Sequence, residues 1–227
     1  MIISNTHRAI FVHVPKTAGT SITSLLAPAL RWNDLVLGGT TFGERIQAAY
    51  KERFGLFKHA RARDIRQVVG EEVWSGYFSF AIVRHPYARA VSFYNWKRGA
   101  VSRATADSPV WSWPATEAFV QSRSFSEFIR HEKFLASVAT QPQADWLCDD
   151  DGRGIVDFVG RIENLRAAAD TITARLGLPP ATLGVHNRSE SDRPPAELFQ
   201  GEEDYRFLHD VYRRDFEMFG YDPHLRL

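Results

Sequence analysis

An apolar run, a polar turn and a helical pattern follow one another near the start of this chain, and together they constrain its fold most. Residues 9–14 read as a buried strand, and the pattern from Ser21 to about Leu30 reads as a helix. The turn between them holds one lysine, Lys16, and one glycine, Gly19. A strand that enters a helix through such a turn aims successive backbone N–H groups and the helix dipole at one point. The segment therefore predicts an anion-binding turn.

The donors of this turn differ in order from those of the common phosphate loop. Lys16 adds a full positive charge, and Gly19 lets the backbone approach a ligand closely. The hydroxyls of Thr17, Thr20 and Ser21 add neutral donors. In the phosphate loop of kinases the lysine follows the second glycine, whereas here the lysine precedes the glycine. No other predicted strand ends in an obvious metal-binding aspartate, so we expect the turn to hold a phosphate-like group without magnesium.

A second apolar run ends in an arginine and leads into another helical pattern. Residues 78–83 read as a buried strand, Arg84 stands at its C-terminal end, and Pro86 suits the first turn of a helix. Ligands of open α/β sheets bind beyond the C-terminal ends of strands, so Arg84 is expected at the same edge as Lys16. Ser92, two turns into the helix, can face the same anion. Two anion sites on one edge favour a nucleotide with both 5′ and 3′ phosphates.

Both segments resemble the sulfotransferases that use 3′-phosphoadenosine-5′-phosphosulfate (PAPS). Residues 11–21 are similar to their 5′-phosphosulfate loop, and residues 81–92 are similar to their 3′-phosphate strand and helix. Residues 157–165 and 212–221 resemble later landmarks in the expected order, so the resemblance spans most of the chain. The nearest branch is the carbohydrate type, sulfotransferase family 2, with its bacterial members and the heparan-sulfate O-sulfotransferase-like group.

The resemblance implies an α/β fold with a P-loop, in which helices flank a parallel sheet in three layers. Alternating strands and helices favour the same class, and the length suits one domain, taken as a single sulfotransferase domain over 1–227. The helices are predicted at 21–30, 44–53, 64–69, 86–98, 116–122, 124–133, 165–176 and 202–214. The strands are predicted at 9–14, 55–58, 78–83 and 155–159, with 99–115 irregular.

The resemblance also assigns the substrates and their contacts. PAPS is the donor, 3′-phosphoadenosine 5′-phosphate (PAP) is the product, and the acceptor is a hydroxyl of a small molecule or a glycan. The residues carried over for nucleotide binding are Lys16, Thr17, Gly19, Thr20, Ser21, Arg84, Ser92 and, for phosphate or acceptor contact, Arg188. Lys16 is also implied to stabilise the charge that builds on the leaving phosphate oxygen.

His59 is the predicted base that takes the proton of the acceptor. It follows a predicted short strand at 55–58, and a neutral imidazole suits proton abstraction near pH 7. In the heparan-sulfate-type relatives a histidine after a strand in this interval acts as the base, and residues 57–60 match that position. A glutamate is the other solution in the family, and Glu44 and Glu52 lie in the same interval.

Three further residues have roles that the sequence leaves open. His13 alternates with Phe11 along the first strand and is predicted to lie in the core or behind the site. Gln143 and Trp146 precede the strand at 155–159 in a segment that resembles family sequences. They can contact the acceptor or pack within a loop.

Composition argues against several classes of partner. The 28 basic and 27 acidic residues nearly balance, which argues against a nucleic-acid binder that relies on bulk charge. Cys148 is the only cysteine, so no intrachain disulfide is possible, and no cluster has metal-ligand spacing. No stretch is long and apolar enough to span a bilayer, and polar residues directly follow Ile2 and Ile3 where a signal peptide would stay apolar. We therefore expect a cytoplasmic protein without a metal; the oligomeric state is unknown.

Two other functions stay open on sequence alone. A P-loop nucleotide or small-molecule kinase shares the fold class, but it predicts a lysine after a second glycine and a magnesium-binding aspartate. A non-catalytic nucleotide-binding module keeps both anion sites and needs no base. His59 therefore distinguishes the module from the enzyme.

Overall fold

The computed structural model describes residues 1–180 and 193–227. Contacts within the chain divide the described residues into two compact units. The first comprises residues 1–84 and 143–180, and the second comprises residues 85–142 and 193–227. The single sulfotransferase domain over 1–227 stays a prediction. Across the two described ranges, no helix has both the length and the apolar character needed to cross a membrane.

The first unit is built on a five-stranded sheet with the strand order β3-β1-β2-β4-β5. The strands are β1 (Ile2–Ser4), β2 (Ala9–Val12), β3 (Leu35–Val36), β4 (Phe78–Val83) and β5 (Phe158–Arg161). β2, β4 and β5 run parallel, whereas β1 is antiparallel to both of its neighbours, β2 and β3. The α/β class is confirmed, but the sheet is mixed and the prediction of a parallel sheet is wrong at β1.

The antiparallel strand follows from the short distance along the chain between β1 and β2. Only residues 5–8 separate the two strands, and a connection this short can join only antiparallel neighbours. Arg8 has a φ of 48°, in the left-handed region that tight turns use. β1 and β3 contain three and two residues, which is too few for a periodic pattern to reveal them.

Thirteen α-helices occur in the described residues. In chain order they are α1 (Gly19–Leu26), α2 (Thr41–Phe54), α3 (Ala62–Val69), α4 (Glu71–Gly76), α5 (Pro86–Ser102), α6 (Pro114–Gln121), α7 (Phe125–Arg130), α8 (Glu132–Leu135), α9 (Ala144–Leu147), α10 (Leu165–Arg175), α11 (Pro195–Leu198), α12 (Glu202–Val211) and α13 (Arg213–Phe219). The predicted helices are confirmed with shifted ends, but 124–133 holds two helices, α7 and α8. Likewise α12 ends at Val211, and α13 begins within the helix predicted at 202–214.

Two helices of the first unit, α1 and α10, pack on one face of the sheet. Their apolar residues and those of the strands form one buried cluster: Ile2, Ala9, Phe11, Ile22, Leu26, Phe80, Ile82, Ala168 and Ile172. On the opposite face, the strand residues Ile10, Val12 and Ala81 are also fully buried. Because both faces are covered, β2 and β4 are continuous apolar runs, as buried parallel strands usually are.

The strand predicted at 55–58 is wrong. Gly55, with a φ of 71°, ends α2 in the left-handed conformation that glycine adopts readily. The chain then turns, and the Ala60 N–H donates to the Phe57 carbonyl at 2.9 Å. The Lys58 N–H donates to the Gln47 side chain at 3.3 Å instead of joining a strand ladder. His59 therefore lies in a turn between α2 and α3.

The described part of the second unit contains helices and no strands, and it has an aromatic core. The Phe128 ring lies 5.3 Å from the Tyr94 ring and 5.0 Å from the Phe134 ring, measured between centroids. The buried Arg89 guanidinium donates to the carbonyls of Gln141 and Ala139, both at 2.9 Å. These bonds satisfy a charge that would be costly to bury alone.

Candidate active site

The turn after β2 and the residue after β4 leave the sheet at the same edge. β2 and β4 are parallel neighbours, with Val12 paired to Ala81, and adjacent strands lie about 4.8 Å apart. Lys16 lies four residues beyond the end of β2, and Arg84 directly follows β4. The sequence predicts this convergence, and the strand pairing of the first unit is consistent with it.

The Lys16 turn has an unusual backbone. Lys16 and Ala18 have φ angles of 68° and 65°, and they are two of the three non-glycine residues with positive φ in the described ranges. The left-handed region costs such a residue roughly 1–2 kcal/mol. Strain of this kind persists where the surrounding structure enforces it, commonly at ligand sites, and turns with such residues can make concave anion-binding nests of N–H groups.

The N-terminus of α1 has no side-chain cap. Its N-cap is Ala18, whose methyl side chain cannot accept a hydrogen bond, and its first turn contains no acidic residue. The first hydrogen bond within the helix runs from the Ile22 N–H to the Ala18 carbonyl at 3.2 Å. The N–H groups of Gly19, Thr20 and Ser21 therefore have no partner within the helix, and the positive end of its dipole lies beside them.

The hydroxyl of Thr17, a predicted nucleotide contact, makes a hydrogen bond within the turn. It donates to the Val14 carbonyl at 2.9 Å, and the side chain is buried. Its proton therefore closes the turn. Lys16 and Thr20 keep part of their side chains exposed.

His13 packs beneath the start of α1. A Cβ atom added to Gly19 would lie 1.8 Å from Nε2 of His13, so only glycine fits where the helix crosses the imidazole ring. The His13 ring also stacks on Phe11, with 5.4 Å between centroids. His13 is buried, as its alternation with Phe11 predicts.

His59 meets His13 edge to face. The two ring centroids are 4.6 Å apart, and Nδ1 of His59 lies 2.7 Å from the backbone carbonyl oxygen of His13. A carbonyl oxygen only accepts, so Nδ1 of His59 carries the proton and donates it. In the neutral ring Nε2 then holds the lone pair that can accept a proton.

Burial keeps both imidazoles neutral. It lowers the pKa of His59 to about 3, although the bond to the His13 carbonyl acts in the opposite direction. Burial, followed by the neighbouring His59, lowers the pKa of His13 well below its ordinary value. At pH 7 His59 is therefore available as an uncharged base.

The other candidate base near His59 is a paired carboxylate. Glu44 accepts from the Lys58 ammonium at 2.8 Å and from the Gly39 N–H at 3.0 Å. Partial burial acts to raise the pKa of Glu44, but these hydrogen bonds outweigh it and the pKa is lowered. The oxygens of this carboxylate are therefore occupied by a cation and a backbone N–H, and Glu52 is exposed on α2.

A buried segment at α9 holds the backbone of both His59 and Arg84. The Trp146 indole N–H donates to the His59 carbonyl at 3.0 Å. The Gln143 amide accepts from the Arg84 N–H at 2.9 Å and donates to the Arg84 carbonyl at 2.8 Å. Both side chains are fully buried, so they serve packing and hydrogen bonding.

The sequence model of the sulfotransferase family matches residues 1–222 of this chain. The chain belongs to the sulfotransferase family. It is therefore a transferase enzyme. Searches of curated proteins and of solved structures found no significant match.

The first unit of this sulfotransferase brings together most of the residues predicted for its site. Lys16, Gly19, Thr20 and Ser21 lie in the turn after β2 and the start of α1, and Arg84 follows the adjacent strand. Ser92 lies in α5 of the second unit, with part of its side chain exposed. Arg188 lies outside the described residues.

The sulfotransferase structure assigns contacts to three residues whose roles the sequence leaves open. His13, Gln143 and Trp146 all act through a backbone group of another residue or through packing. The Gln143 and Trp146 contacts join residues 59 and 87 positions apart. No local pattern marks them; their only signal is a glutamine and a tryptophan three residues apart in a segment similar to the family.

Proposed function

We propose that this sulfotransferase transfers a sulfuryl group from PAPS to a hydroxyl of a carbohydrate or glycoconjugate. One observation supports the donor most: a strained, lysine-bearing turn and an uncapped helix N-terminus share a sheet edge with Arg84. The turn provides a P-loop-like cradle for one anionic group, and the arginine provides for a second.

The residues fit a donor with two anionic ends. The N–H groups of Gly19, Thr20 and Ser21 form the positive end of the α1 dipole, which suits binding of the 5′-phosphosulfate. Lys16 adds the full charge there. Arg84 suits the 3′-phosphate, because a guanidinium matches phosphate oxygens with two donors.

Lys16 and His59 have the two chemical roles in this proposal. His59 takes the acceptor proton on Nε2 while the acceptor oxygen bonds to sulfur. The bond between sulfur and the bridging phosphate oxygen breaks, and Lys16 stabilises the charge that develops on that oxygen. PAP and the sulfated acceptor are the products, and no metal takes part.

The kinase alternative is not favoured, because the family match covers nearly the whole chain and the lysine precedes the glycine. The choice of His59 over Glu44 is supported by the bond from Nδ1 of His59, which leaves the lone pair of the neutral ring on Nε2, and by the ion pair of Glu44 with Lys58. The roles of Ser92 and Arg188, the carbohydrate nature of the acceptor and a cytoplasmic location remain predictions from the sequence.

The test is transfer of radiolabelled sulfate from PAPS to a panel of neutral sugars, uronic-acid glycans and phenols. We expect label on a saccharide, and loss of transfer in Lys16→Ala. Labelling of phenols alone would contradict the carbohydrate part of the proposal. Absence of any transfer, together with no affinity for PAP, would contradict the donor.

A further inference from the structure

The segment at the start of α9 contacts both Arg84 and His59, the two parts of the proposed site that lie outside the Lys16 turn. Gln143 immediately precedes α9, and Trp146 lies within it. The backbone N–H of Trp146 donates to the backbone carbonyl of Gln143 at 3.0 Å. This turn of backbone fixes the two side chains relative to each other. One reaches Arg84 and the other reaches His59.

The Gln143 side chain makes the hydrogen bonds to Arg84 that a neighbouring strand would make. β4 ends at Val83, its last residue paired to β5, so Arg84 lies just beyond the strand ladder. The Gln143 amide offers a donor and an acceptor in one plane, as a peptide group of a neighbouring strand would. Both backbone groups of Arg84 are satisfied at 2.9 and 2.8 Å, which fixes the direction in which the arginine leaves the sheet.

Trp146 holds the turn of His59 from the other side. His59 is fixed at its ring by the His13 carbonyl and at its own carbonyl by the Trp146 indole. The Arg61 guanidinium lies 5.7 Å from the Trp146 ring centroid, which helps to hold the indole in place. Two anchors on one residue in a turn restrict both its backbone and its imidazole.

We propose that Gln143 and Trp146 are positioning residues of this enzyme: Gln143 orients Arg84 for the donor, and Trp146 orients His59 for proton transfer. This inference rests on the proposed function. It predicts a split, because each residue acts on a different step. Loss of the Gln143 contact weakens nucleotide binding, whereas loss of the Trp146 contact slows turnover.

The test compares Gln143→Met with Trp146→Phe, which remove the hydrogen bonds and keep most of the volume. For Gln143→Met we expect the Kd for PAP, measured by calorimetry, to rise about tenfold, with kcat at saturating PAPS within threefold of wild type. For Trp146→Phe we expect kcat to fall about tenfold, with the Kd for PAP unchanged. Each tenfold effect corresponds to about one lost buried hydrogen bond.

Matched controls remove the same kinds of bond in the second unit. Gln141→Met loses an amide bond to the Leu135 carbonyl, and Trp111→Phe loses an indole bond to the Thr105 carbonyl. Neither control should change the Kd for PAP or the kcat by more than twofold. Where a test variant does not fold, Gln143→Glu and Trp146→Tyr are measured in the same way.

An independent readout uses the His59 ring itself. In long-range ¹H–¹⁵N spectra the wild type should show Nδ1 protonated, and Trp146→Phe should add a second tautomer while Gln143→Met should not. Variants that change both parameters in parallel, or neither, would overturn the positioning roles. Wild type that neither binds PAP nor transfers sulfate would instead overturn the proposed function.

Discussion

The Lys16 turn and the His59 turn are held in different ways. The Lys16 turn is held by residues close to it in sequence: the Thr17 hydroxyl donates to the Val14 carbonyl, and α1 begins directly after the turn. The His59 turn is held by distant residues, through the His13 carbonyl, the Gln47 side chain and the Trp146 indole. The Lys16 turn is therefore local, whereas the base depends on the tertiary structure.

This difference has a functional consequence. A local turn keeps its shape when the rest of the unit is disturbed, so the part of nucleotide binding that the Lys16 turn provides should resist distant substitutions, whereas the part that Arg84 provides depends on Gln143. A base held by remote partners should lose activity whenever one of those partners changes. Binding and turnover are thus expected to separate under mutation, and the following predictions test that separation.

Lys16→Ala should have the largest effect. It removes the only full charge of the Lys16 turn that can follow the developing charge on the leaving oxygen, which is worth about 10²–10³ in kcat. With weaker binding added, kcat/KM for PAPS should fall by about 10⁴. Steady-state kinetics measure both parameters. Lys51→Ala, at an exposed lysine of α2, is the control and should behave as wild type.

His59→Asn should reduce turnover but leave binding intact. The asparagine amide can still donate to the His13 carbonyl from the position of Nδ1, but it has no basic nitrogen at the position of Nε2. We expect kcat to fall by about 10³, within the range for loss of a general base. The Kd for PAP should stay within twofold. A variant with normal kcat would reject His59 as the base and return attention to Glu44.

Gly19→Ala should disturb the packing of His13, which contacts both Gly19 and the His59 ring. The added Cβ would lie 1.8 Å from Nε2 of His13, and the ring must move away from its place beside His59. Overpacking of this kind costs about 1–3 kcal/mol, so Tm should fall by about 2–12 °C. Gly99→Ala in α5 is the matched control, since its Cβ meets only the end of the Arg103 side chain. Its Tm should be equal or slightly higher; an equal loss in both would contradict the steric argument.

The pH dependence of stability should report the buried imidazoles. In the unfolded chain histidine titrates near 6.5, whereas in the folded protein burial lowers the pKa of His59 to about 3. The unfolded state therefore binds more protons between these values, and stability falls as pH falls from about 6.5 towards 3. Urea midpoints from pH 8 to 5 measure this effect, which should be smaller in His59→Asn. An identical decline in the variant would contradict it.

The parts of the site that are local were predictable from the sequence, and the parts that depend on tertiary contacts were not. Consecutive donors identify the Lys16 turn, and two long apolar runs predict the parallel neighbours that place Arg84 at its edge. β1 and β3 are too short to show a pattern.

The strand predicted at 55–58 failed because the Lys58 N–H donates to the Gln47 side chain and the Lys58 carbonyl accepts from the N-terminal ammonium of Met1. The roles of Gln143 and Trp146 stayed open for a similar reason. Their partners lie 59 and 87 residues away, and no spacing rule reaches that far.

The most direct test of the central claim is calorimetric titration of the wild type with PAP and with ADP, each with and without magnesium. If the Lys16 turn and Arg84 bind the two ends of one nucleotide, PAP should bind at least tenfold more tightly than ADP, and magnesium should not improve either. Tighter binding of ADP with magnesium would contradict the account.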